Sequence, residues 1–135
     1  MIPDAFQTFY HAQYGIRWEG LLHALMQAPV RCLRLNGFSG CEVSGEEEQL
    51  PEMPHCIYPS NDFEPSLQPS GVMDYYRMDP ASVIPALALD VKEGDRVLDM
   101  CSAPGGKALI LAEALGDNGH LTTNEWSRAR KEKLR

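Results

Sequence analysis

The segment Arg96 to Lys107, RVLDMCSAPGGK, constrains this chain more than any other. A short apolar run, Arg96 to Met100, has the length and composition of a buried strand. It runs into a loop of small residues, Cys101 to Gly105. Gly106 to Leu115 then reads as a helix, with Leu109, Ile110, Ala112 and Leu115 available for packing. After a turn at Gly116 to Gly119, His120 to Asn124 is a second strand candidate, and Ser127 can cap a last helix. Strand, helix, strand, helix is half of a doubly wound α/β unit. A mostly parallel sheet of this kind needs further strands to cover both its faces, and these residues do not supply them.

Upstream, Asp4 to Tyr14 and Arg17 to Ala28 read as two helices broken at Gly15. Trp18, Leu21, Leu22, Leu25 and Met26 recur at helical spacing, and Pro29 is a natural stop. Arg31 to Leu35 is a strand candidate. Asn36 to Gly71 is rich in Gly and Pro and carries the acidic run Glu46-Glu47-Glu48. It reads as a loop-rich connector with one short strand at Cys56 to Tyr58. Tyr75 to Met78 is an extended segment. Asp79 with Pro80 behind it can open a helix that continues through Ser82 to Leu89. The expected division is a helical, loop-rich accessory region over 1–71 and the start of an α/β domain over 72–135.

The net charge of −7 is the wrong sign for a simple nucleic-acid binder. Its distribution matters more. Arg128, Arg130, Lys131, Lys133 and Arg135 place five of the twelve basic residues in the last eight positions, either as a solvated helix face or as a contact to phosphate. No apolar run approaches the roughly 18 residues of a membrane span, so no membrane association is expected. Met1 to Tyr14 lacks Lys and Arg, which argues against a signal or transit peptide. The cysteines Cys32, Cys41, Cys56 and Cys101 have no CxxC spacing and no nearby His, so no metal site is expected. They read as reduced thiols of an intracellular protein.

Chemistry concentrates at the loop. The first amides of a helix have no internal partners and carry partial positive charge. Gly105 and Gly106 leave room for close approach. An anionic group fits there, a phosphate or an amino-acid carboxylate. A P-loop needs Gly where Cys101 stands and Ser or Thr where Ala108 stands, so that pattern fails. The dinucleotide fingerprint GxGxxG fails at Ser102-Ala103-Pro104. Glu125 lies about 20 residues beyond the loop, at the end of the second strand, where a carboxylate can accept both hydroxyls of a ribose. A ligand with a ribose and a carboxylate but no phosphate satisfies every part, and S-adenosylmethionine is such a ligand.

Residues 74–115, DYYRMDPASVIPALALDVKEGDRVLDMCSAPGGKALILAEAL, resemble the Nop/Sun (RsmB-like) RNA cytosine-5 methyltransferases. Those carry an aromatic-rich segment, an ASxxP helix and GDxVLDxCAAPGGK. Residues 124–135, NEWSRARKEKLR, are similar to their next element. The resemblance covers 72–135; the first 70 residues match loosely, in the manner of compact organellar members. It implies the first half of a Rossmann-like class I methyltransferase fold and S-adenosyl-L-methionine as cofactor. The RNA substrate would be rRNA or tRNA, in the cytoplasm or the mitochondrial matrix; protein partners are not implied. Cys101, Ser102, Ala103, Pro104, Gly105, Gly106 and Lys107 would form the cofactor loop, with Glu125 on the ribose. Asp99 would be a supporting or purely structural acid, and Lys107 would order the loop or pair with an acid. Ser102 stands where the family usually has Ala.

In that family one Cys attacks carbon 6 of the base and a second, in a Pro-Cys motif, helps release the product. This sequence has neither a Pro-Cys pair nor a Thr-Cys-Ser stretch. Cys101 is expected to be a small packed thiol of the loop. The 135 residues are expected not to methylate by themselves. The alternative is a non-catalytic cofactor-binding or interaction module, or a truncated inactive isoform. A nucleotide hydrolase is disfavoured by the failed P-loop.

Overall fold

The computed structural model describes residues 2–28, 30–41, 48–50, 53, 55–59 and 66–134. The expected helix stop at Pro29, the acidic Glu46-Glu47, the turn residues Gly45, Pro51, Pro54 and Pro65, and the basic Arg135 lie outside the described residues.

The chain opens with helix α1 (Asp4–Tyr14), a tight turn over Gly15–Arg17 at the expected break, and helix α2 (Trp18–Met26). Phe6, Tyr10 and Tyr14, at helical spacing on α1, meet Trp18 of α2. Tyr10 stacks on Trp18 at 5.7 Å between ring centroids, and Phe6 lies 6.1 Å from the same indole. Trp18 is the buried member of this cluster.

Strands β1 (Cys32–Leu35), β2 (Glu48–Gln49), β3 (Cys56–Tyr58) and β4 (Tyr75–Met78) form an antiparallel sheet in the order β2-β3-β1-β4. Three of the four strands fall where they were expected; the two-residue strand Glu48–Gln49 and the pairing of all four into one sheet are what the structure adds. Strands of two to four residues are too short to show alternation between their turn residues, and backbone pairing across the sheet is what holds them. The pleat is clean once paired. Cys32 faces the same side as Arg34, Cys56 and Met78, while Leu33, Leu35, Ile57 and Tyr75 gather on the other. Because β4 hydrogen-bonds to β1, the division at residue 71 separates two adjacent strands of one sheet.

Asp79 caps the next turn as expected: its Oδ1 accepts from the Ala81 amide at 2.8 Å, with Pro80 at the first position. Helix α3 (Val83–Ala88) follows. Strand β5 (Arg96–Asp99), helix α4 (Gly106–Leu115) and strand β6 (His120–Thr123) make a right-sized β-α-β unit, with β5 and β6 parallel and in register from Arg96 opposite His120 to Asp99 opposite Thr123. A short helix α5 (Arg128–Lys131) closes the described chain, its start capped by Ser127 Oγ.

One core joins the two sheets. Cys32, Cys56 and Met78 pack with Val83 and Ala86 of α3 and with Ile110 and Leu111 of α4, and Val97 and Leu121 of the parallel pair lie against them. A bidentate ion pair crosses the same boundary. Arg34 of β1 donates to both carboxylate oxygens of Glu113 on α4, at 2.9 and 2.5 Å. Glu113 Oε1 also accepts from the Gly37 amide at 2.8 Å. The helix that follows the loop after β5 is therefore anchored to the antiparallel sheet at its far end.

Candidate cofactor site

The loop between β5 and α4 is shaped by its own backbone. Asp99 Oδ1 accepts from the Cys101 amide at 3.1 Å, and Ser102 Oγ donates to the Asp99 carbonyl at 2.9 Å. The end of β6 zips onto the same turn. The Asn124 amide donates to the Asp99 carbonyl (2.8 Å), and the Ser102 amide donates to the Asn124 carbonyl (3.0 Å). Asn124 Nδ2 reaches the Met100 carbonyl (3.1 Å). Asp99 thus does structural work at the turn. Ser102, where the family usually has Ala, uses its hydroxyl for one of these ties.

The Ala103–Pro104 peptide is cis. Gly105 caps α4 at φ 118°, a conformation that other residues rarely adopt. At Gly106 a methyl group would sit 2.9 Å from the Tyr76 ring, so β4 approaches the helix start as closely as glycine allows. Burial of the Tyr76 phenol pushes its pKa up. Ser102, Ala103, Gly105 and Gly106 are buried, while Cys101, Pro104 and Lys107 are exposed. Two expectations change here. Cys101 is not a packed thiol: its amide is tied to Asp99, and its side chain lies on the surface. Lys107 forms no ion pair with any described residue, and its side chain is exposed beside the loop.

Glu125 stands just past β6. Its side chain is only 5% exposed. Oε1 accepts from the Ser127 amide at 2.8 Å. Oε2 is buried and accepts no hydrogen bond; the nearest cation, Arg130 Nη1, is 3.5 Å away. The same guanidinium donates through Nη2 to the Ala103 carbonyl at 2.5 Å. Arg130 therefore draws the acid and the loop to one place. It also takes one member of the basic tail out of the solvated face expected for it. The loop and Glu125 are the two halves of the site named from the sequence, and they are brought together through this arginine.

Two features were missed by sequence reading. Arg130 is one, because its role needs the turn at Ser127 to fold it back. Trp126 is the other. It follows Glu125 directly, and its indole is 98% exposed. Its exposure is decided by the fold, and no local sequence pattern reports it. On the other side of the loop, a cleft of about 220 Å³ opens between Cys101, Pro104 and Lys107 and the β4 residues Tyr76, Arg77 and Met78.

The donor set suits a neutral-pH nucleoside ligand with an amino-acid tail. Glu125 Oε2 is withdrawn from water and accepts no hydrogen bond, with only the 3.5 Å ion pair to Arg130, a position a hydroxyl pair would complete. The amides that open α4 suit a carboxylate. Residues that fit S-adenosylmethionine are therefore in place.

The profile of the family 16S rRNA methyltransferase RsmB/F matches residues 86–135. The 5-cytosine rRNA methyltransferase NSUN4 of Bos taurus is 50% identical over 64 residues, 47% of this chain and 16% of that protein. A mitochondrial tRNA (cytosine(34)-C(5))-methyltransferase of Mus musculus is 34% identical over 95 residues, 70% of this chain and 24% of that protein. A solved methyltransferase homologue from Pyrococcus horikoshii superposes with a TM-score of 0.76 at 23% identity, over 98% of this chain and 47% of that one, which is a likeness of fold. The chain thus spans a quarter or less of the length of these curated relatives. By sequence, it belongs to the Nop/Sun (RsmB-like) family of RNA cytosine-5 methyltransferases, of which it spans an N-terminal part.

Proposed function

We propose that this chain is the cofactor-binding part of an enzyme that moves a methyl group from S-adenosylmethionine to carbon 5 of a cytosine in rRNA or tRNA. The observation that carries the reading is Glu125. Its Oε2 is out of water and accepts no hydrogen bond, held only by the 3.5 Å ion pair to Arg130, so a ligand's hydroxyls would supply the missing donors next to a loop that opens a helix. Loop residues Cys101 to Lys107 would face the methionine end, with the α4 amides taking its carboxylate. Glu125 would take the ribose hydroxyls, and Trp126 would offer its exposed face to the adenine. S-adenosylmethionine supplies the methyl group.

Methylation at carbon 5 needs a thiolate to add to carbon 6. Burial, reinforced by the neighbouring Cys56, pushes the Cys32 thiol up to about 12, and burial raises Cys56 as well. Neither is a thiolate at neutral pH, and both sit in the core. The chemistry derived from this chain is therefore binding and orientation of the methyl donor, and the attacking thiol would come from elsewhere in the enzyme. The mitochondrial tRNA enzyme among the relatives supports the mitochondrial matrix as the compartment.

Calorimetry with S-adenosylhomocysteine and with ATP tests the site directly. Saturable heat with the thioether, one site per chain, and quenching of Trp126 fluorescence are expected. Heat with ATP and none with the thioether would overturn the assignment.

A further inference from the structure

We propose that Arg31, Arg77 and Lys107 form a phosphate-docking rim that holds the RNA substrate against the cofactor loop. The inference rests on the RNA methyltransferase reading above and names the part of the chain that would touch the RNA.

The chain carries a net charge of −7 with twelve Lys and Arg residues, and among the described ones Arg96, Arg128, Lys131 and Lys133 also stand outside the ion pairs. Among the described residues, Arg34, Lys92 and Arg130 are in ion pairs, and Arg17 lies over the Tyr14 ring. Arg31, Arg77 and Lys107 are exposed, appear in none of the hydrogen bonds or ion pairs of the described residues, and line the same cleft of about 220 Å³. The sheet register explains two of them. Leu33 pairs with Arg77 and Cys32 with Met78, so Arg77 and Arg31, just before β1, are diagonal neighbours on the Leu33 side of the sheet, the side turned away from α4, and they border the cleft at the open edge of β4. Lys107, the second residue of α4, comes from the opposite wall. Asp79 also lines the cleft; its Oδ1 is occupied by the Ala81 amide, and its charge leaves an excess of two positive charges.

Three like charges around one small cleft repel one another, and of the described residues that line it Asp79 offsets that repulsion only in part. A phosphodiester strand does so, with one negative charge per nucleotide and oxygens that accept from guanidinium and ammonium groups. Contacts of this kind position a nucleic acid without reading its sequence. The cleft shares Cys101, Ser102 and Pro104 with the loop, so a strand held at the rim lies against the cofactor-binding loop. The cofactor's own carboxylate is the competing anion. The α4 amides already suit it, and a single carboxylate would leave the rim cations in excess.

The test is fluorescence anisotropy of a short labelled single-stranded RNA on this chain, with S-adenosylhomocysteine calorimetry in parallel. Three variants are compared with the parent: Arg31→Gln with Arg77→Gln, Arg31→Lys with Arg77→Lys, and a control that removes the same charge elsewhere, Arg17→Gln with Arg96→Gln. At about 0.1 M salt the rim Gln pair should weaken RNA binding by roughly ten-fold or more and flatten the slope of log affinity against log salt by about 1.4. The Lys pair should keep most of the affinity, and the control pair should change it by less than about two-fold. Affinity for the thioether should stay unchanged in all of them. Equal weakening by the rim and control pairs, RNA binding that ignores the rim charge, or no salt-dependent RNA binding by the parent would overturn the proposal. A matching loss of thioether affinity in the rim Gln pair would assign the cations to the cofactor and overturn it too. Absence of thioether binding by the parent sinks instead the methyltransferase reading on which the rim depends.

Discussion

The Arg34–Glu113 pair is the place where one substitution should do most damage away from the cofactor loop. The two side chains are 7% and 17% exposed, and they join β1 to α4 through two hydrogen bonds. Arg34 Nε is also buried and has no hydrogen-bond partner, so the guanidinium already depends on Glu113 and on the Leu35 carbonyl for its compensation. Glu113→Ala leaves a buried cation without its counter-charge, a change that costs about 3–5 kcal/mol, against the ~0–1 kcal/mol of an exposed pair. A domain of this size has a total stability of roughly 5–15 kcal/mol, so at least about a fifth of it would go. The melting temperature should fall by roughly 10–20 °C, and the urea midpoint should move down with an unchanged slope.

The informative control is Arg34→Met with Glu113→Leu. Replacing both charges by apolar groups removes the desolvation cost along with the attraction, so the double variant should recover to within about 1 kcal/mol of the parent or exceed it. Urea unfolding followed by far-UV circular dichroism measures all three proteins. A Glu113→Ala loss below about 1 kcal/mol would show that water reaches the pair, and the reasoning would be refuted. A double variant as unstable as the single one would locate the effect in packing and refute it as well.

Three further outcomes are expected. Glu125→Gln keeps an acceptor for the Ser127 amide but discards the charge that would grip the ribose. It should raise the dissociation constant for S-adenosylhomocysteine by about 10- to 100-fold, read by calorimetry; an unchanged constant removes Glu125 from the site. Brief treatment with iodoacetamide should label Cys101 first and spare Cys32 and Cys56 until urea is added, as read by peptide mass spectrometry. Native labelling of Cys32 at the Cys101 rate contradicts the packed core. Stability should also decline in alkali. The Cys32 thiol is raised by burial from 9.0 to about 12, so between those values the unfolded chain loses this proton while the folded chain keeps it. The stabilisation is whole below pH 9.0 and fades towards pH 12, by roughly 4 kcal/mol at most. A urea midpoint that does not shift as the pH rises from about 8.5 to 10.5 would show that the buried thiol titrates as if exposed.

What the sequence disclosed and what it concealed follow from how local each determinant is. Helix α4 was legible to the residue because both its ends are written in glycine and its apolar positions recur within one turn. The parallel partners β5 and β6 were placed to within a residue, since each is a compact run between strong turn signals. The antiparallel sheet was concealed because its reward is non-local. Cys32 and Met78 are far apart in the chain, and no window of ordinary length contains both. The site divides the same way. Loop residues 101–107 are contiguous and were named directly, whereas the bond from Arg130 to the Ala103 carbonyl depends on a bend of the chain after Glu125. The behaviour of charged side chains was the least legible of all. Lys107 was expected to order the loop or pair with an acid and meets no acid among the described residues, while Arg34, an unremarkable residue in a strand candidate, carries a buried pair. Sequence pattern reports where a side chain leaves the backbone. Whether a charge meets a partner or water is decided by what the rest of the fold brings within reach, and at Glu125 and Arg130 that reach ties the acid to the loop.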